Sequence, residues 1–139
     1  MNTELIEIKN YKGFGYQSLV SYGAWRVAVL RYLDELNIEN IHSMERHTAT
    51  DEVFILTFGK AMLILGGNDV HISEFQPVTM NIGEIYNIKK NTWHTIIMSK
   101  DAHIVIVEND DTNKENSETC LLTDFLSREI QVQGNQFLH

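Results

Sequence analysis

The chain has 139 residues, 43% hydrophobic and 22% charged, with a net charge of −8. That length predicts one domain over 1–139, able to bury roughly two thirds of its unfolded surface without a disulfide or metal staple. The acidic balance argues against nucleic acid, whose affinity comes mainly from basic residues meeting phosphates, and against an anionic membrane surface; no apolar run approaches the ~20 residues of a membrane helix.

Taken in order, residues 1–15 are mixed. Leu5-Ile6-Glu7-Ile8 has the composition of an edge strand. Gly13-Phe14-Gly15 starts like a dinucleotide loop, but Ser18 stands where the third glycine belongs and no helical pattern follows. Over 24–33, Trp25, Val27, Val29 and Arg31 share one strand face, and Arg26, Ala28, Leu30 and Tyr32 share the other. Both faces are largely apolar, which predicts one side in a barrel and the other against a second sheet or a partner subunit. Arg26 or Arg31 would bind an anionic ligand if it pointed inward; pointing outward, it would cover apolar surface with its stem. Asp34 to Asn40 is an acidic turn.

Residues 41–47 and 52–58 read as strands, the second rich in β-branched and aromatic residues, joined by the polar Thr48-Ala49-Thr50-Asp51, a hairpin-like length. Glu45 and His47 share a face, and Glu52 can lie across from His47. An imidazole and two carboxylates on an inward face are costly unless they bind a metal, share protons or meet water. His42 has the opposite parity to His47 and faces out. Asp51 suits a loop position accepting backbone hydrogen bonds.

Gly59-Lys60 is a turn, Ala61 to Leu65 a strand apolar on both faces, and Gly66-Gly67-Asn68-Asp69 a strong turn. His71 falls near a turn, as a surface histidine would. Gly83 closes a turn before the strand Glu84 to Ile88. Lys89-Lys90-Asn91 is a polar turn, with Asn91 suited to a positive φ. In the next strand, Trp93 to Met98, His94 shares a face with Ile96 and Met98 while Trp93 faces away. A last strand runs from His103 to Glu108, with His103 near its edge. Residues 109–119 have the composition of a loop. Thr123 suits the N-cap of a short helix to Ile130, placed over one end of the barrel or on a neighbouring subunit, with Gly134 and the last residues frayed. Cys120 has no partner for an internal disulfide and no acid or histidine tied to it by spacing, so packing is its expected role. With no signal peptide, the expected location is cytoplasmic.

Two of these stretches resemble the paired motifs of the cupin superfamily. His47, Glu52 and Gly59 match the second histidine, the glutamate and the closing glycine of the first motif; Gly83 and His94 match the second. Glu45 stands in place of the first histidine, Lys89 in place of a proline and Asn91 in place of a turn glycine, and no opening glycine is evident near residue 39. The run Thr50-Asp51-Glu52-Val53-Phe54 is similar to one in small single-domain bacterial cupins. The resemblance covers about 25–108, leaving 109–139 as a C-terminal extension. It implies an all-β double-stranded β-helix, a jelly-roll barrel, with a short C-terminal helix.

It also implies a divalent metal (iron, manganese, nickel or zinc) held by Glu45, His47, Glu52 and His94. Without Glu45 the set becomes two histidines and one carboxylate, open to dioxygen or a chelating substrate; with it, Lewis-acid isomerase or lyase chemistry is more natural. The implied substrate is a small oxygen-rich metabolite, such as a keto acid or sugar acid, in a pocket whose apolar lining (Phe54, Leu56, Ile96, Met98) excludes water. A non-catalytic small-ligand-binding module is an alternative. So is a metal-free acid–base enzyme using His47 or His94 with Glu52. Strands apolar on both faces, and the pairing habit of cupins, point to a homodimer.

Overall fold

A computed structural model describes residues 5–139. Its strands are β1 (Gly15–Tyr22), β2 (Trp25–Arg31), β3 (Ser43–His47), β4 (Glu52–Phe58), β5 (Ala61–Leu65), β6 (Gln76–Thr79), β7 (Ile85–Ile88), β8 (His94–Met98), β9 (His103–Asn109) and β10 (Ser117–Leu121), followed by helix α1 (Asp124–Leu138). They form two five-stranded sheets, ordered β1-β2-β9-β4-β7 and β10-β3-β8-β5-β6, with antiparallel pairing throughout. Residues 5–8 form no strand and are exposed. None of the described helices is long and apolar enough to cross a membrane.

Period-two alternation sorts side chains between the sheets and their outer faces. Phe54, Leu56, Leu63, Ile96, Met98, Ile104 and Ile106 meet in the inter-sheet core. On the outer face of the second sheet, Met44, Met62, Ile64, Trp93 and Ile97 meet Leu126 and Ile130 of α1. This accounts for β5 being apolar on both faces: one face looks into the barrel and the other under the helix. The helix lies along a sheet of its own chain, not over a barrel end or a neighbouring subunit. It runs past Ile130 to Leu138, with Gly134 buried where the helix meets Ile38 and Ile97. Thr123 caps it as expected, accepting a hydrogen bond from the Leu126 N–H at 3.2 Å.

Two connections that look like hairpins are not. β3 and β4 lie in different sheets, as do β7 and β8, so 48–51 and 89–93 both cross from one sheet to the other at the same end of the barrel. The crossings hold each other. The Asn91 N–H donates to the His47 carbonyl at 2.7 Å. Asp51 accepts from the Lys90 N–H at 2.8 Å, the Asn87 amide at 3.1 Å and Lys89 Nζ at 3.4 Å. Asn91 sits at φ 68°, a conformation that a short polar side chain tolerates better than a branched one.

Candidate metal centre

These crossings deliver the two histidines. His47 ends β3 and His94 begins β8, both in the second sheet, and Glu52 begins β4 in the first. All three side chains enter the same end of the inter-sheet space and are buried. Oε1 of Glu52 lies 3.0 Å from Nε2 of His94 and 3.2 Å from Nε2 of His47. The imidazole rings sit 5.4 Å apart, centroid to centroid. Behind them, Nδ1 of His94 lies 3.0 Å from the Thr92 carbonyl oxygen. Nδ1 of His47 lies 2.8 Å from Oγ of Ser117, on β10.

Glu45, the remaining expected ligand, is the register partner of His94. Its carboxylate is 3.9 Å from Nε2 of His47, and its side chain is 57% exposed. Glu45, His47 and His94 offer donor atoms that all lie within 4.8 Å of one another. The structure thus brings all four residues to one place, with Glu45 at the rim.

One further residue belongs to the centre, and no motif in the sequence marks it. Glu108, near the end of β9, points inward beside Glu52; Oε1 of Glu108 accepts from the Tyr16 hydroxyl at 2.7 Å and from Arg26 Nη2 at 2.9 Å. His47, Glu52 and Glu108 also place donor atoms within 4.8 Å of one another. Strand parity held the signal: Glu108 has the parity of Ile104 and Ile106, which line the barrel interior. Arg26 faces inward rather than covering outer surface, and four of its five N–H donors are committed. Nε goes to the Tyr16 hydroxyl, Nη1 to the Asp110 carbonyl, and Nη2 to Glu108 and the Thr112 carbonyl. Arg31 Nε donates to the Ala102 carbonyl. His42 and His71 are exposed, and His103 is hydrogen-bonded to Thr57.

The electrostatics follow from crowding acids and imidazoles in a poorly solvated space. Burial alone would raise the carboxyl pKa of Glu52, but the two facing imidazoles outweigh it and hold Glu52 well below the usual carboxylate range. Burial opposes charge on His47 and His94, yet the Glu52 carboxylate raises both above the ordinary histidine value. Burial, together with the Glu52 charge, pushes Glu108 up despite the opposing pull of Tyr16 and Arg26. The cluster opens into a cavity of about 800 Å³, walled in part by Leu30, Leu36, Phe54, Ile96 and Ile106.

No protein-family model and no curated protein sequence matches the chain. Solved structures do. Pac13, described as a unique nucleoside dehydratase, aligns over 84% of this chain and 87% of its own at 9% identity, with a TM-score of 0.56. KdgF from a Halomonas species aligns over 83% of this chain and 94% of its own at 11% identity, TM-score 0.50. The Fe(II) form of HppE aligns over 68% and 48% at 16% identity, TM-score 0.50. At these identities the likeness is one of fold. Its two antiparallel sheets and these likenesses give the chain a cupin-type jelly-roll fold.

Proposed function

We propose that the chain is a metal-dependent cupin acting on a small oxygen-rich metabolite. The ion, of the Fe, Mn, Ni or Zn kind, is held by His47, Glu52 and His94, with Glu45 at the open side. One observation carries this reading. A carbonyl oxygen only accepts hydrogen bonds, so the contact with Thr92 places the His94 ring proton on Nδ1. The Nε2 lone pair of the neutral ring then points at a carboxylate oxygen 3.0 Å away. A cation between them removes the conflict. The donor atoms stand 3.0 and 3.2 Å apart, close enough for one ion to be shared among them. Two imidazoles with carboxylates suit borderline divalent ions.

Such an ion, when bound, supplies Lewis acidity and an anchoring point for substrate oxygen. The chain's residues do the rest. Thr92 and Ser117 fix the two rings from behind. The apolar walls strip water from the substrate. Arg26 commits four of its five N–H donors within the protein, so an acid substrate would place its oxygens chiefly at the ion. A protonated imidazole would also relieve the conflict between His94 and Glu52, and the raised values of both histidines favour that metal-free acid–base reading.

Metal analysis separates the two. Protein purified without added metal, then soaked with Mn²⁺, Fe²⁺, Ni²⁺ or Zn²⁺ and desalted, is expected to retain one ion per chain. If no ion is retained near stoichiometry, the metal reading fails.

We also read the chain as one domain that pairs with a second copy through the outer face of the first sheet. There Val27, Val107 and Val53 stand in one register row, and Val29, Val105, Ile55 and Ile85 in the next, with none of the described helices laid over them.

A further inference from the structure

Among the described residues, the buried side-chain polar atoms without a hydrogen-bond partner are Nε2 of His47, Oε1 of Glu52 and Oε2 of Glu108. They belong to the three residues that place donor atoms within 4.8 Å of one another on the inner side of the centre. Polar atoms buried without partners are uncommon because each one forfeits its hydration. Three of them on neighbouring residues describe a position for a ligand with positive charge.

Glu108 is built for such a role. Its side chain is only 3% exposed. One oxygen is pinned by the Tyr16 hydroxyl and Arg26 Nη2, so the carboxylate cannot swing away. The other oxygen is the unpartnered one. Glu45 is its opposite: 57% exposed, 3.9 Å from the nearest imidazole nitrogen, and with water available to its oxygens. Holding a solvated glutamate on an ion costs it side-chain freedom that Glu108 has already lost on folding.

We propose that Glu108 is a ligand of the cation, beside His47 and Glu52, and that Glu45 lines the mouth of the site without coordinating. Resting on the metal reading above, the assignment puts two buried carboxylates on the ion and leaves its exchangeable positions facing the cavity. Arg26 and Tyr16 become positioning residues, acting through Glu108.

The test uses Co²⁺ alone, whose visible absorption reports its ligands, with wild type, Glu108→Gln, Glu108→Asp and Glu45→Gln. Glu108→Gln is expected to weaken Co²⁺ binding about 100-fold, at the upper end of what loss of an outer-shell partner costs, and to change the absorption spectrum. Glu45→Gln is expected to bind within threefold of wild type with a superimposable spectrum. Glu108→Asp keeps the charge opposite Arg26, so it covers the case in which the glutamine variant does not fold; its shorter reach is expected to weaken binding about tenfold with a shifted spectrum. A Glu108→Gln or Glu108→Asp protein that folds and binds with wild-type affinity and spectrum overturns the assignment, as does a spectral change in Glu45→Gln equal to that in Glu108→Gln. Wild type that takes up no Co²⁺ overturns the metal reading itself, a result distinct from the others.

Discussion

Arg26 and Glu108 are register partners across β2 and β9, and their side chains meet at 2.9 Å on the inward face of the sheet. Both are largely buried, with 16% and 3% of their side chains exposed. Breaking a buried pair from one side leaves a charge without compensation, at a cost of about 3–5 kcal/mol. Arg26→Ala in metal-free protein is therefore expected to lose stability of that order in urea denaturation at neutral pH. Replacing both residues with apolar ones, Arg26→Met with Glu108→Leu, is expected to recover most of the loss. A single mutant as stable as wild type would mean that the pair is solvated.

The two histidines and Glu52 predict how metal-free stability depends on pH. Glu52 is held low, so its contribution is present above the unfolded carboxylate range and is lost as pH falls through its folded value. His47 and His94 are raised, so their contribution is complete below about pH 6.5 and is lost as pH rises through their folded values. Metal-free protein is expected to be most stable between about pH 5 and 6.5. Bound metal reverses the alkaline limb, because coordination requires unprotonated imidazoles. Thermal melts from pH 5 to 8, with chelator and with Zn²⁺, are expected to diverge as pH rises. Parallel curves would count against the ligand set.

Ser117 comes from a strand distant in sequence and touches only the far side of the His47 ring. Ser117→Ala is expected to lower metal affinity 10- to 100-fold by freeing that ring, while changing stability by no more than about 1 kcal/mol. Calorimetric titration with Zn²⁺ measures the first effect and urea denaturation the second.

At Gly134 two effects compete. Alanine favours a helix interior over glycine by about 0.8–1.0 kcal/mol. A methyl group there would overlap Cδ1 of Ile38 and come within 2.8 Å of Cδ1 of Ile97. Overpacking typically costs about 1–3 kcal/mol. Gly134→Ala is expected to be destabilising by about 1 kcal/mol net, and a rise in melting temperature would show that the isoleucines move aside freely.

For the pairing of chains, light scattering across a concentration series is expected to give twice the chain's 16.0 kDa. Val107→Lys, at the middle of the outer valine row, is expected to halve that mass without loss of fold. A constant 16 kDa in wild type would refute it.

The barrel was legible wherever alternation was strict. The opposite faces of Trp93 and His94, the bounds of β4 and β5, and the helix cap at Thr123 all follow from local chemistry. Loop length carried less information. A four-residue connection serves a hairpin or a sheet-to-sheet crossing equally well, and only long-range pairing decides between them. β10 hid in a polar stretch because an edge strand with most residues exposed needs no apolar period. Glu108 was missed because a carboxylate near a strand end is normally solvated. What buries it is Arg26, more than eighty positions earlier in the chain. The helix beyond Ile130 looked frayed because its glutamines and asparagine face water, while the glycine that suggested a break is what lets it lie close to Ile38 and Ile97.

The clasp between the two crossings has a consequence for traffic. Three polar side chains and two backbone amides hold the barrel shut at that end, so the sheets cannot part there without undoing all of them. The cavity beside it is lined by two other loops, with Leu33, Leu36 and Asn40 from the connection after β2 and Asn113 and Lys114 from the connection before β10. The latter is itself tied to the first crossing, where the Thr48 N–H donates to the Asn116 carbonyl at 2.9 Å. Size selection would therefore reside in those two loops, and trimming them would alter which molecules are admitted while leaving the histidines where they are.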